Sequence, residues 1–260
     1  MNQKHSPETV LITGASSGIG LELARIFAQH GFKLVLVARN RSKLLEIAAT
    51  LPGSSVHVIA KDLSHPRAPQ EVFEELREKS IPVDVLVNNA GFGQYGKFAS
   101  TDLETQVEMI ELNIVALAAL TRLFLPDMLE RGTGKIMNVA STAAFQAGPM
   151  MAVYYASKAF VLSFSEAIEN ELHGTGITVS CLCPGATETN FADRAGMKDT
   201  WLFKLGAMDA KTVAEAGYVG LMKGKSLVIP GAKNKLLVQS ERLAPRKLVT
   251  AISRKIQEQR

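Results

Sequence analysis

The chain contains little cysteine, which limits how it is stabilised. Its only two cysteines among 260 residues, Cys181 and Cys183, are separated by a single leucine. In an extended segment their Cα atoms would lie about 6.5 Å apart, which is poorly suited to a disulfide. No cluster of His, Asp or Glu surrounds them to complete a zinc site. We therefore expect reduced thiols, no bound metal and a cytoplasmic location.

The chain also lacks a long apolar run. Its most apolar stretch, 114–125, is interrupted by Thr121 and Arg122, so we expect no membrane-spanning helix, which needs about 18 apolar residues. Residues 1–9 are polar and lack the apolar core of a secretory signal. Hydrophobic residues make up 47% of the chain and charged residues 21%, a balance that excludes a disordered protein and permits a sizeable core.

The net charge of +4 is concentrated near the C-terminus. From Lys233 to Arg260, eight basic residues stand against two acidic ones, so this segment carries +6 and the first 232 residues carry −2. A near-neutral body argues against nucleic acid as a partner. The basic tail has three interpretations: it covers the core or an oligomer interface, it makes peripheral contact with an anionic membrane, or it is solvated charge.

Short apolar runs alternate with segments of helical periodicity. The runs that we expect to be strands are 10–13, 34–38, 56–60, 83–88, 135–140, 178–183 and 226–229. The helical segments are about 18–31, 41–51, 67–80, 103–131, 151–173 and 210–223. This alternation predicts an α/β fold of the Rossmann type, a doubly wound, seven-stranded parallel sheet with helices on both faces. No repeat or linker is visible, so we expect one domain over 1–260.

Two segments depart from this alternation. Segment 186–208 combines glycines with the apolar residues Phe191, Trp201, Leu202 and Phe203, and it is either a lid over the substrate or an irregular connection with its own apolar cluster. Segment 232–260 mixes leucines with basic residues, and we expect it to be a basic, helical C-terminal segment.

A glycine-rich turn, TGASSGIG from Thr13 to Gly20, follows the first strand and opens the first helix. Glycines permit a tight turn, close approach to a pyrophosphate and close packing of the helix, whose N-terminal N–H groups favour phosphates. No Lys-Ser/Thr pair follows, which argues against a triphosphate loop. The turn predicts dinucleotide binding, with contacts from Gly14, Ser16, Ser17, Gly18, Ile19 and Gly20.

The end of the second strand indicates which dinucleotide binds. An acidic residue there binds the ribose 2′-hydroxyl of NAD, whereas an arginine accommodates the 2′-phosphate of NADP. Here the strand ends in Val-Ala-Arg-Asn-Arg, and Arg39 occupies the discriminating position. We therefore expect NADP (NADPH), although Arg39 could also be an exposed residue that precedes the next helix.

Tyr154 and Lys158 stand four residues apart in a predicted helix and so share one face. A tyrosine has an ordinary pKa near 10, and a nearby ammonium lowers it toward the range that proton transfer needs. Such a pair by itself is most often surface decoration. Ser141, thirteen residues earlier and just past a strand end, adds a hydroxyl that can hold a carbonyl oxygen.

From about 9 to 230, the sequence resembles the short-chain dehydrogenase/reductase family in its compact, single-domain subgroup. The glycine turn, an Asp-Leu pair at 62, an Asn-Asn-Ala-Gly motif at 88 and a Pro-Gly pair at 184 fall in the family's order. The resemblance implies further cofactor contacts from Asp62, Leu63, Asn89, Ala90, Gly91, Tyr154, Lys158, Pro184, Gly185, Thr187 and Thr189. It also implies a catalytic tetrad of Asn113, Ser141, Tyr154 and Lys158.

The resemblance further implies the role of each tetrad member. Tyr154 would exchange a proton with the substrate oxygen, Ser141 would orient that oxygen, and Lys158 would bind the nicotinamide ribose and lower the pKa of Tyr154. Asn113 would hold a water that links Lys158 to solvent; alternatively, it is a polar residue inside a helix that hydrogen-bonds nearby backbone. Tyr155 has no lysine four residues later, and we assign it to packing or substrate contact.

The expected substrate contacts are largely apolar: Ser141, Ala143, Gln146, Met151 and Phe191. They suit a ketone, aldehyde, ketoacyl or steroid-like substrate of an NADP-dependent oxidoreductase. The alternative is a non-catalytic NADP-binding regulator on the same fold. The family commonly forms homodimers or homotetramers, with segments 103–131 and 151–173 as the candidate interface.

Overall fold

A computed structural model describes residues 7–51, 53–197, 206–241 and 243–258. Its larger sheet contains strands β1 (Thr9–Thr13), β2 (Lys33–Ala38), β3 (Val56–Ala60), β4 (Val85–Asn88), β5 (Gly134–Val139), β6 (Ile177–Leu182) and β9 (Leu227–Val228). Their order is β3-β2-β1-β4-β5-β6-β9 and every neighbouring pair is parallel. The predicted seven-stranded, doubly wound parallel sheet is confirmed in this part of the chain.

Helices cover both faces of the sheet because its strands are apolar on both sides. On one face, Val10 and Ile12 pack against α1 (Gly18–Gln29), α2 (Arg41–Thr50) and α8 (Ala210–Met222). On the other face, Leu11 packs among residues of α3 (Ala68–Glu78), α5 (Leu117–Arg131) and α6 (Ala152–Glu171). Successive residues of β1 therefore supply two separate layers of the core.

The predicted helix over 103–131 is interrupted. It consists of α4 (Leu103–Ile110), a π-helical turn (Glu111–Ala116) and α5. By length and composition this run could cross a membrane, contrary to our expectation, because its two polar residues hardly lower the average over a long window. In the fold, 39% of that window is buried, and Leu120, Phe124 and Met128 pack in the core beneath the sheet.

The segment predicted to be a lid is described only in part. Strand β7 (Thr187–Glu188) pairs in parallel with β8 (Met208–Asp209), and α7 (Phe191–Ala195) follows β7. This small second sheet was not anticipated, because two-residue strands have no periodicity to detect. Trp201, Leu202 and Phe203 lie outside the described residues.

The C-terminal segment forms α9 (Ala232–Glu241) and α10 (Arg246–Gln257), as predicted. Val249, Ser253 and Gln257 form a buried face of α10, which supports the interpretation that the tail covers the body of the protein. Leu248 and Ile252 lie on its exposed side among basic residues. Membrane contact by that side stays a prediction, which cosedimentation with anionic and with neutral lipid vesicles would test.

The topology determines where a ligand can bind. The chain leaves β1 toward β2 on one side and later returns to β4 on the other, so the strand order reverses between β1 and β4. Ligands of open α/β sheets bind at the carboxyl ends of the strands beside such a reversal. The glycine turn after β1 and the Asn-Asn-Ala-Gly motif after β4 meet at this place.

Candidate active site

A cleft of about 390 Å³ opens at the carboxyl ends of the central strands. Its lining includes most of the predicted contacts: Gly14, Ser16, Ser17, Ile19, Arg39, Asp62, Leu63, Asn89, Ala90, Gly91, Ser141, Ala143, Gln146, Met151, Tyr154, Lys158, Pro184, Gly185, Thr187, Thr189 and Phe191. The folded chain therefore gathers into one cleft residues that are up to 177 positions apart in the sequence.

The glycine turn has the shape that a phosphate needs. Gly14 and Gly18 adopt the left-handed backbone, at φ of +66° and +55°, and the Gly14 N–H donates to Val37 O at 2.8 Å. The Ser17 side chain does not cap α1, so the N–H groups of the first helical turn have no side-chain acceptor. A dinucleotide pyrophosphate fits this cradle.

Gly18 and Gly20 do not line the cleft, unlike the predicted contacts around them. A Cβ on Gly20 would collide with Asn89 Nδ2 and with the carbonyl oxygen of Gly14. A Cβ on Gly18 would lie 2.8 Å from the methyl group of Thr189. Both glycines therefore allow close packing of the turn, and the residues of the turn that line the cleft are Gly14, Ser16, Ser17 and Ile19.

The turn is fixed to the neighbouring strand by hydrogen bonds that the sequence did not reveal. The Thr13 hydroxyl oxygen accepts from the backbone N–H groups of Asn89 and Ala90, each at 3.0 Å. The Asn89 side-chain amide donates back to Thr13 O at 2.9 Å. These bonds lock the loop after β4 against the turn after β1, so Asn89 acts on the cradle as well as lining the cleft.

Arg39 lies at the end of β2, where it lines the cleft with Asn40, Lys61 and Ser64. Its guanidinium is 3.7 Å from the Asp62 carboxylate and more than half exposed. Partial burial favours the neutral form of Asp62, but hydrogen bonds from Ser64 and the charge of Arg39 outweigh it and lower the pKa of Asp62. This end of the cleft can accept an adenosine ribose.

Tyr154, Ser141 and Lys158 meet in the middle of the cleft. The hydroxyl groups of Tyr154 and Ser141 lie beside each other in the cleft. The Ser141 hydroxyl donates to Pro184 O at 3.4 Å and accepts from Ala143 N–H at 3.1 Å. The Lys158 ammonium lies 5.8 Å from the centre of the Tyr154 ring and donates to Val139 O at 2.8 Å. An ammonium has three N–H donors, so this bond leaves donors for ligand hydroxyl groups.

The expected lowering of the Tyr154 pKa by Lys158 is wrong for this structure. Burial raises the pKa of Tyr154 well above its ordinary value, and the neighbouring Ser141 hydroxyl offsets only part of that rise. Burial also lowers the pKa of Lys158 to about 8. Both pKa shifts have one cause, because burial disfavours the charged form of each group.

Asn113 does not line the cleft, in contrast to the other tetrad members. It lies in the π-helical turn, where its side chain accepts from Phe92 N–H at 3.1 Å and donates to Phe92 O at 3.0 Å. It also donates to the Ser157 hydroxyl at 3.0 Å. The alternative interpretation thus describes its contacts, because Asn113 holds the backbone of the loop after β4.

One wall of the cleft is formed by the segment after β6. Pro184 O accepts from the backbone N–H of Thr142 at 2.8 Å, which joins this segment to the turn that carries Ser141. The Thr187 hydroxyl donates to Gly185 O at 2.9 Å. The Thr189 methyl group packs on Gly18, so the segment folds over the glycine turn.

The substrate end of the cleft is an apolar cluster that the sequence indicated only in part. Ring centres of Tyr154 and Phe191 are 5.1 Å apart, and Met151 packs in the same cluster. Glu108 and Leu112, which we did not predict, also line the cleft. Neither residue belongs to a distinctive motif.

The two cysteines lie behind the site and are free, buried thiols with sulfur atoms 3.7 Å apart. The hydrogen bond between them and burial raise the pKa of Cys183. Within the described ranges, no group of three or more His, Cys, Asp or Glu residues is placed to hold a metal ion.

Comparison with known proteins gives consistent results. The short chain dehydrogenase family model matches residues 8–199. Ketoacyl reductase HetN of Nostoc sp. is 37% identical over 180 residues, which cover 68% of this chain and 63% of that protein.

Solved structures are similar over nearly the whole chain. A short-chain dehydrogenase from Sphingobium yanoikuyae in complex with NADPH has a TM-score of 0.81 and 36% identity, covering 91% of this chain and 94% of that one. A short-chain dehydrogenase/reductase from Burkholderia phymatum in complex with NAD has a TM-score of 0.82 and 26% identity, covering 97% of each chain. The protein belongs to the short-chain dehydrogenase/reductase family, whose members use a nicotinamide dinucleotide.

Proposed function

We propose that the protein is an NADPH-dependent carbonyl reductase, acting on a largely apolar ketone, aldehyde, ketoacyl or steroid-like substrate, and on the corresponding alcohol in reverse. The observation that carries the proposal is the gathering of Tyr154, Ser141 and the buried Lys158 ammonium in one cleft that continues to the glycine turn. A bound nicotinamide dinucleotide would supply the hydride.

The residues of the chain would then handle the oxygen of the substrate. Ser141 and Tyr154 present two adjacent hydroxyl groups, which can hold a carbonyl oxygen and stabilise the charge that develops on it. Tyr154 is protonated at neutral pH, as an ordinary tyrosine is, and burial raises its pKa further, so it has a proton to donate to that oxygen. Lys158 would bind ribose hydroxyl groups and provide a nearby positive charge.

The proposed preference for NADPH depends on Arg39, since the two related structures contain different dinucleotides. A guanidinium at the end of β2 can form charge-assisted hydrogen bonds with a 2′-phosphate. The carboxylate of Asp62 lies two residues after the end of β3 and is 3.7 Å from the Arg39 guanidinium. The adenosine end therefore offers a cation where an NAD enzyme has an acid.

The apolar character of the substrate end supports the proposed substrate class. Met151, Phe191, Met197 and Tyr155 surround the catalytic hydroxyl groups, and Gln146 adds an amide. The name of the Nostoc relative, a ketoacyl reductase, agrees with a ketoacyl substrate. A regulator without activity is the weaker alternative, because binding a dinucleotide does not require a tyrosine and a serine side by side near a buried lysine.

The exposed side of α4 to α6 bears apolar residues: Leu103, Val107, Ile110, Val115 and Phe160. We propose this surface as the contact with a second copy of the chain in a cytoplasmic homodimer or homotetramer. Sedimentation of the purified protein would test this assignment, and a monomer at micromolar concentration would contradict it.

Replacing Tyr154→Phe removes the proton donor and keeps the aromatic ring. We expect turnover of carbonyl substrates to fall by about 10²–10⁴-fold, the usual contribution of general acid catalysis. NADPH affinity, measured by fluorescence titration, should hardly change. Tyr218→Phe, far from the cleft on α8, serves as the matched control. Near-normal turnover by the Tyr154 variant would show that another group supplies the proton.

Replacing Arg39→Ala removes the cation at the adenosine end. We expect the KM for NADPH to rise by about 10- to 100-fold, which corresponds to the loss of about 1.5–3 kcal/mol from a charge-assisted hydrogen bond. The KM for NADH should change little. Arg41→Ala, at the first residue of α2 and outside the cleft, is the control. Tighter binding of NADH than of NADPH by the native protein would overturn the assignment.

The pKa of about 8 for Lys158 predicts a pH dependence. The ammonium is the form that binds and supplies charge, and it is lost as the pH rises through 8. The kcat/KM for NADPH, which reports on the free enzyme, should fall above this pH by up to about tenfold per pH unit. A profile that stays flat to pH 10 would show that the charge of Lys158 is not required.

A further inference from the structure

The last turn of α10 reaches the back of the substrate pocket, far from the charges that dominate the tail. Gln257 is only 1% exposed. Its side-chain amide donates to the Tyr155 hydroxyl at 2.6 Å, and its backbone carbonyl accepts from the Tyr95 hydroxyl at 2.8 Å. The amide also reaches the Ser253 hydroxyl at 3.2 Å, one turn earlier on the same buried face. One residue thus joins the end of the chain to two tyrosines near the active site.

Tyr95 connects this contact to α7. Its backbone N–H donates to Ala195 O in α7 at 3.0 Å, and the next residue, Gly96, donates to Met150 O at 2.8 Å. The loop after β4 is therefore hydrogen-bonded to α7, to the turn before α6 and to the end of α10. A displacement of α10 would release one side of this junction.

Tyr155 connects the same contact to the pocket wall. Its ring lines the cleft and lies 6.0 Å from the Tyr154 ring, at an angle of 75°. On the other side it packs so closely on Gly148 that a Cβ there would collide with the ring. The hydrogen bond from Gln257 then fixes the position of the Tyr155 hydroxyl group.

We propose that Gln257 is a positioning residue that closes the substrate end of the cleft, through Tyr155 and Tyr95, and thereby limits the size of the substrate. This inference rests on the proposed reductase function. Gln257 touches neither the catalytic hydroxyl groups nor the glycine turn, so it sets the shape of the pocket and takes no part in proton transfer. Loss of the Gln257 amide should increase the mobility of Tyr155 in the pocket wall and of α7 together.

The test uses Gln257→Met in the full-length protein, which keeps the volume and removes the amide. Ala251→Ser, on the exposed side of α10, is the matched control. Hydrogen exchange is followed by mass spectrometry in peptides covering 92–97 and 191–197. Loss of the bond to Tyr155 should let the end of α10 move and so weaken its backbone contact with Tyr95. We therefore expect exchange in these peptides to become at least about fivefold faster. Unchanged exchange in both peptides would overturn the proposal, and this readout requires no turnover.

The second arm compares a bulky ketone, benzophenone, with a small one, 2-butanone. In Gln257→Met we expect the ratio of their kcat/KM values to shift at least about fivefold toward benzophenone, through KM, while NADPH affinity stays the same. An unchanged ratio would overturn the role in substrate size. If the native protein reduces no carbonyl compound at all, the proposed function fails. Hydrogen exchange alone then decides whether Gln257 positions α7 and the loop after β4.

A double-mutant cycle separates the proposed hydrogen bond from general loosening of α10. Tyr155→Phe removes the acceptor and keeps the ring. If the two side chains act through one bond, the double variant should resemble either single variant in the benzophenone ratio. Strictly additive effects would show that the two residues act independently and would contradict the proposal.

Discussion

A buried ammonium group is the constraint on which the active site depends. Lys158 is 5% exposed, and a cation removed from water must be hydrogen-bonded. Val139 O meets this need from the end of β5. On the other side, a Cβ on Gly91 would lie 3.4 Å from the Lys158 nitrogen and 3.0 Å from the Asn113 oxygen. The loop after β4 can pass so close because position 91 has no side chain.

The position of Lys158 determines that of Tyr154, one turn earlier on α6. The same burial that lowers the pKa of Lys158 raises the pKa of Tyr154, so each group favours its neutral form. Burial, a property of the whole fold, thus outweighs the local pairing of Tyr154 with Lys158.

The sequence predicted what local patterns determine. The buried strands, the glycine turn and the four-residue spacing of Tyr154 and Lys158 are short-range features, and they led to the sheet and to most of the cleft. It did not predict contacts across long separations: Asn113 bonds the Phe92 backbone 21 residues away, and Gln257 bonds Tyr155 102 residues away. Polar residues of this kind have no period, and only the folded chain shows their partners. The basic tail illustrates the same limit, because its charges were visible and its buried face was not.

The central claim is that hydride passes from a bound nicotinamide dinucleotide to a carbonyl carbon in this cleft. The most direct measurement uses NADPH deuterated at C4 of the nicotinamide, with mass spectrometry of the alcohol formed from a ketone. The account predicts one deuterium on the carbinol carbon, when the transferred face carries the label, and none when the opposite face carries it. An alcohol without deuterium from either labelled cofactor would contradict the account.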